Sequence, residues 1–193
     1  MTLRGIRGII AEAAFAAKIV GTLEGWIDST PTGNHAFDFL LTDRDGAIRV
    51  QVKMQRQKAH RPMMASEGSR FLPSDVYVVE TQRTRGGTDS TTGENTRPYK
   101  FDEFDILAVA LQPSTGDWSN FLYTVNSWLI PRPEDQRLLL KYQPVPKGPN
   151  SNWTDHFLTC VSWFRSGANR RMQINIPYVP SRRKKQTKRR KRK

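Results

Sequence analysis

Two periodicities organise the chain. From His35 to Met54, apolar and polar residues alternate along His-Ala-Phe-Asp-Phe-Leu-Leu and again along Ala-Ile-Arg-Val-Gln-Val-Lys-Met, with Thr42-Asp43-Arg44-Asp45-Gly46 between the two runs. Period two marks half-buried strands, and Asp-Gly between such runs is a hairpin signal because both central residues of the favoured turn take positive φ. With Asp45 and Gly46 as the turn, Phe39 faces Val52, Phe37 faces Met54 and Leu41 faces Val50, which gives one wholly apolar side. The other side sets Asp38 opposite Lys53 and Leu40 opposite Gln51, so Asp38 and Gln51 become diagonal neighbours within roughly 7 to 8 Å. Upstream, Leu3 to Val20 repeats at the helical period and stops at Gly21. Its wheel turns Arg4, Arg7 and Lys18 toward solvent and Leu3, Ile6, Ile10, Ala13, Ala14 and Ala17 toward a core. Glu12 belongs to neither face: it lies among Ile9, Phe15, Ala16 and Ile19, where an unpartnered carboxylate is costly.

Downstream, Asp75 to Thr81 reads as a third strand buried on both sides, and Phe104 to Leu111, almost free of polar residues, as a central strand covered by helices. Trp118 to Ile130 reads as a fifth strand closed by Pro131 to Pro133, Glu134 to Tyr142 as a short helix, and Asp155 to Arg165 as an amphipathic helix. Gln55 to Gly68 is a loop or short helix. The polar segment from Gln82 to Arg97 exceeds the usual loop length, which points either to a ligand-reading loop or to disorder. Strands mixed with helices in this order place the chain in the α/β class, with a mixed central sheet flanked by helices. Trp118, Phe121, Trp128 and Trp153 fit core or dimer-interface positions better than base-stacking platforms.

Composition adds the partner. Hydrophobic content of 37% over 193 residues supports a folded body, and the net charge of +13 points to a polyanion. Ten Lys or Arg and no acid lie from Arg182 to Lys193, so only +3 of that charge belongs to the rest. We therefore divide the chain into a single domain over 1–180 and a disordered basic tail over 181–193. The tail has three open readings: counterion-release attraction to DNA, a nuclear-type signal in a eukaryotic context, or an appended segment. The single cysteine, Cys160, excludes internal disulfides and Cys-rich metal centres, and three scattered histidines argue against zinc. Cys160 sits in an apolar helix pattern and reads as core. Ile9 to Val20, interrupted by Glu12 and Lys18, is too short to span a bilayer and no signal-peptide pattern precedes it, so a soluble, cytoplasmic protein of a bacterium or archaeon is expected.

The candidate chemistry lies on the polar side of the hairpin. A carboxylate (Asp38), an amide oxygen (Gln51) and an ammonium (Lys53) within one patch suit a hard divalent cation and a phosphate, the cation taking oxygen ligands and the lysine offsetting charge that grows on a phosphorus centre. The competing reading is an ordinary hairpin with a solvated side, and for Glu12 a pairing with backbone or an arginine. Asp38 followed after twelve residues by Gln51-Val52-Lys53 resembles the PD-(D/E)-x-K signature of the restriction-endonuclease-like nuclease superfamily. Phe37 stands where that signature has Pro, and Gln51 where it has its second acid. A helical Glu ahead of the Asp strand, here Glu12, is also a feature of that superfamily, and the phrases around Asp75-Val-Tyr-Val-Val-Glu and Tyr99 to Val109 resemble its sheet strands.

The resemblance covers roughly residues 1–130. It implies a restriction-endonuclease-like core and a Mg²⁺-dependent endonuclease on double-stranded DNA, of restriction or defence type, acting as a homodimer without a membrane. Asp38, Gln51 and Glu12 would hold the metal, Lys53 would complete the catalytic set, and Arg56, Lys58, Arg83, Arg85 and Arg97 would contact DNA. Two rivals stand beside it: a DNA-binding module on the same scaffold whose site has degraded at Gln51, and a basic interaction protein on which the hairpin patch is decoration.

Overall fold

The computed structural model describes residues 3–83 and 97–174. The helix α1 spans Leu3–Lys18, and a 3₁₀ turn at Val20–Thr22 follows it. The hairpin is β2 (Phe39–Asp43) with β3 (Gly46–Met54), and a short β1 (Ile27–Asp28) lies on the outer side of β2. After β3 come a small ribbon, β4 (Gln57–Lys58) and β5 (Arg61–Pro62), one turn of helix α2 (Ala65–Gly68), and β6 (Tyr77–Glu80). The remaining elements are β7 (Ile106–Ala110), α3 (Gln112–Thr115), β8 (Phe121–Val125), β9 (Tyr142–Val145) and α4 (Phe157–Arg165). No helix among the described residues is long and apolar enough to cross a membrane.

The central sheet has the order β1-β2-β3-β7-β8 and is mixed, β3 and β7 being parallel and the other pairs antiparallel. The mixed sheet flanked by helices is the architecture the strand and helix order led us to expect. On one side, Phe39, Leu41, Val50, Val52, Ala108, Phe121 and Tyr123 pack against Ala11 and Phe15 of α1 and Phe157, Cys160 and Val161 of α4. Phe15 is the hub, with ring centroids 5.2 Å from Phe39, 5.6 Å from Phe121 and 5.8 Å from Phe157. Truncating a buried phenylalanine of this kind typically costs about 3–5 kcal/mol. On the other side, Leu107, Val109 and Leu122 meet Val78, Val79, Leu139 and Val145.

Four sequence expectations are corrected. The hairpin pairs Phe39 with Val50 and Leu41 with Ile48, two residues away from the expected register. Arg44 and Asp45 form the turn without positive φ, Asp43 and Gly46 close it, and Gly46 takes φ +119. The non-glycine turn residues stay in ordinary conformations and glycine alone takes the left-handed position, so the turn shifts one residue toward the N-terminus. A shift of two keeps every side chain on its expected side. In α1, Ala11 and Phe15 are buried while Ile6, Ile9 and Ile10 are 41%, 50% and 41% exposed, and Ala13 and Ala17 are exposed with them. The wheel is thus rotated: Phe15 anchors it, and the larger apolar stripe points outward.

The third correction concerns the strand at Asp75 to Thr81. As β6 it lies outside the central sheet and pairs antiparallel with β9 in a separate ribbon. The fourth concerns Glu134 to Tyr142, which forms no helix. Asp135 accepts the Arg137 amide at 3.1 Å and binds its guanidinium at 2.8 Å, a local side-chain closure that competes with helical hydrogen bonding. That segment bridges Lys100 with Leu138 and Pro131 with Leu139, and its end becomes β9. Phe121, Trp128 and Trp153 are buried as expected, as is Cys160, whose thiol burial pushes up and so keeps from being a nucleophile. Residues 84–96 of the polar segment, and the tail over 181–193, lie outside the described residues.

Candidate active site

Asp38 stands at a bend just before β2, its backbone N–H donating at 2.9 Å to the carbonyl of Val50, the partner of Phe39. The Asp38 side chain nonetheless meets that of Gln51 directly, closer than the diagonal the sequence suggested. Asp38 Oδ2 accepts the Val52 amide at 2.8 Å and the Gln51 Nε2, and the Gln51 Nε2 also donates to the Val52 carbonyl at 3.2 Å. Gln51 is 1% exposed. Burial holds the Asp38 carboxyl above its ordinary range, partly offset by the Lys53 ammonium and by the two hydrogen bonds.

Lys53, two residues beyond Gln51 along β3, shares its side of the strand. Its ammonium lies 5.3 Å from the centre of the Tyr99 ring and engages the tyrosine hydroxyl, whose ionisation burial pushes up. Glu12 reaches the same place from α1. Burial raises its carboxyl from 4.5 to about 7, the neighbouring Asp38 adds to the rise and Lys53 offsets part of it. Glu12, Asp38, Gln51 and Lys53, from three separate elements, are thus one electrostatic group. Two carboxyls raised by burial, one of them further by its like-charged neighbour, mark a place where a cation or a proton is favoured.

A cavity of about 330 Å³ opens beside this group, lined by Glu12, Lys53, Gln55, Arg56, Glu80 and Gln82 among others. Gln55 is fully buried, and neither atom of its amide has a hydrogen-bond partner. Leaving a buried polar group unpaired costs about 1–3 kcal/mol. Gln55, Glu80, Gln82 and Tyr99 were not singled out from sequence. Only Gln55 carried a signal, its alternation with Gln51 and Lys53; the other three come from remote segments.

The expected DNA-contacting residues are mostly engaged by acids. Arg56 Nε lies 3.5 Å from Glu80 Oε2, Lys58 Nζ is 3.2 Å from Glu67 Oε1, and Arg83 is 2.7 Å from Glu103 Oε1. For Arg56 the ion-pair distance is met without a hydrogen bond, since its Nε–H has no partner. Arg83 also lies over the Tyr99 ring, 5.5 Å from its centre, which joins it to the Lys53 side of the site. Its amide donates to the Arg97 carbonyl at 3.0 Å, so the two ends of the polar segment are held together, and Arg97 is exposed. Arg85 lies outside the described residues.

No protein-family model matches the chain, and no curated protein matches it. Among solved structures, that of a bacterial homing endonuclease is similar with a TM-score of 0.45 and 16% identity, over 86% of this chain and 96% of that one.

Proposed function

We propose that the protein is a metal-dependent endonuclease of double-stranded DNA, with Asp38, Gln51, Lys53 and Glu12 as its site. The single observation that carries the reading is their convergence: two carboxyls raised by burial, with Asp38 adding to the rise of Glu12, an amide bonded to Asp38 and an ammonium, Glu12 and Lys53 lining an open cavity. The donor set fits a hard divalent cation. Its oxygen ligands, two carboxyls and an amide carbonyl, match the preference of hard cations rather than of soft or nitrogen-preferring metals. Asp38 and Glu12 would hold Mg²⁺ with charge and Gln51 with its carbonyl oxygen once its amide turns over. The cation would supply Lewis-acid polarisation of a phosphate oxygen and neutralise developing charge. Lys53, steadied by Tyr99, would orient the attacking water and balance charge at phosphorus.

A restriction or defence role and a homodimer belong to the same proposal. What supports two copies is the outward side of α1, where Ile6, Ile9 and Ile10 stand exposed with Ala13 and Ala17 and no charged residue among them. The test is plasmid cleavage by the full chain with Mg²⁺ and with EDTA: Mg²⁺-dependent linear or nicked product is expected, and intact plasmid under all metal conditions overturns the reading. The runner-up, a DNA-binding module with a degraded site, is favoured by one observation. Gln51 gives Asp38 its amide nitrogen, a pairing that needs no cation. Salt-sensitive DNA binding without cleavage would select it.

A further inference from the structure

Gln51, Lys53 and Gln55 alternate along β3 and its continuation, where the Gln55 backbone N–H donates to the Ala110 carbonyl at 3.0 Å. They therefore emerge on one side of the strand. Two of the three have their polar ends occupied, Gln51 by Asp38 and Lys53 by Tyr99. Gln55, at 0% exposure, has neither its carbonyl nor its amino group bonded, although it lines the cavity shared with Glu12 and Lys53. The next residue, Arg56, lines the same cavity; its buried Nε–H makes no hydrogen bond, although Glu80 Oε2 lies 3.5 Å away as an ion-pair partner. Buried donors are almost always satisfied within a folded chain. An unpaired buried amide next in sequence to a guanidinium that lacks a hydrogen bond at Nε, both residues lining one cavity, points to an acceptor that arrives from outside.

The donors define that acceptor. A neutral amide and a guanidinium lining one cavity suit an oxygen-rich anion, and the Gln55 side-chain carbonyl suits a water bound next to it. Lys53 on the same wall favours negative charge, whereas Glu12 and Glu80 oppose a free, highly charged anion and tolerate a singly charged diester better. We infer that Gln55, with Arg56, binds a non-bridging oxygen of a phosphodiester in this cavity and accepts a hydrogen bond from an adjacent water on its carbonyl. This inference rests on the nucleic-acid reading of the site, and extends it to a residue outside the four that would hold metal or balance charge.

The experiment uses the full chain without metal, so that cleavage plays no part. Gln55→Met keeps the shape of the side chain and removes its polar atoms. Its melting temperature without ligand should equal or exceed that of the wild type, since an unpaired buried amide is lost, while its affinity for a short DNA duplex should fall about tenfold. Gln55→Glu should weaken duplex binding further. Inorganic phosphate serves as the second probe. Stabilisation of the wild type by the duplex alone assigns the cavity to a backbone diester, and stabilisation by phosphate as well, lost in Gln55→Met, assigns it to phosphate oxygen in general. Unchanged duplex affinity in Gln55→Met overturns the inference, as does a lowered melting temperature in the unliganded variant, or a wild type that binds neither probe. A chain that binds the duplex through Gln55 yet never cuts DNA with any metal refutes the endonuclease reading and leaves this one standing.

Discussion

Asp38 and Gln51 face each other across the hairpin, and one carboxylate oxygen of Asp38 takes both the Gln51 amide and the Val52 backbone N–H, the latter at 2.8 Å. Asp38 therefore holds the strand end in place as well as acting electrostatically on Glu12. Asn at this position keeps an acceptor for Val52, whereas Ala leaves a buried N–H and a buried amide without one. Asp38→Ala should destabilise the fold by about 1–3 kcal/mol and Asp38→Asn by less. Both should reduce Mg²⁺-dependent cleavage at least about a hundredfold. Chemical denaturation and plasmid cleavage separate the two roles: wild-type cleavage by Asp38→Asn removes Asp38 from the site.

Glu12 gives the protein a pH signature. Its carboxyl rises from 4.5 in the unfolded chain to about 7 in the folded one, chiefly through burial. The folded state thus binds this proton more tightly than the unfolded state. Its contribution to stability is complete below about pH 4.5 and is lost as pH climbs through 7. In EDTA, the difference in melting temperature between Glu12→Gln and wild type should widen in favour of the variant from pH 5 to pH 8. A difference that stays constant over that range would mean that Glu12 titrates as an ordinary surface acid.

The strand pattern and the polar group were legible in the sequence because period two survives a shift of register by two. Asp38, Gln51 and Lys53 stay on one side in either pairing, so the sequence brings the polar group together although the turn was misplaced by one residue. The side of α1 that packs inward was not legible. Its pattern contains two apolar stripes, and only the tertiary setting chooses the one with Phe15, whose ring fits between Phe39, Phe121 and Phe157. Tyr99 and Glu80 were hidden for another reason. They reach the site from segments remote in sequence, through pairings that no local period encodes.

Gln51 is where this chain departs from the acid of the resembled signature. Gln51→Glu would set two carboxylates face to face at a position 1% exposed, so the metal-free variant should melt at a lower temperature than the wild type. Added Mg²⁺ should restore it and support cleavage at a lower concentration, since charge replaces a neutral oxygen. Gln51→Leu removes the ligand oxygen and should raise the Mg²⁺ requirement. A metal titration that leaves Gln51→Leu indistinguishable from wild type would show that Gln51 is not a ligand.

The outward side of α1 tests the proposed pairing of two copies. Ile6, Ile9 and Ile10 occupy the N-terminal half of the stripe, and the small Ala13 and Ala17 the C-terminal half. Two such helices laid antiparallel about a two-fold axis set the isoleucines of one copy over the alanines of the other, a self-complementary contact of the isologous kind. The patch is on the order of 300 Å² per copy, below the roughly 800 Å² of a stable standard interface, so it would form the apolar centre of a wider contact or of a dimer completed on DNA. Ile9, half exposed, is the position where charge disturbs the partner and spares the fold. Ile9→Lys should change monomer stability by no more than about 0.5 kcal/mol and shift the protein toward the monomer on dilution. Sedimentation velocity with and without a short duplex measures this. If wild type and Ile9→Lys sediment alike at every concentration in both conditions, the stripe is not where a second copy docks.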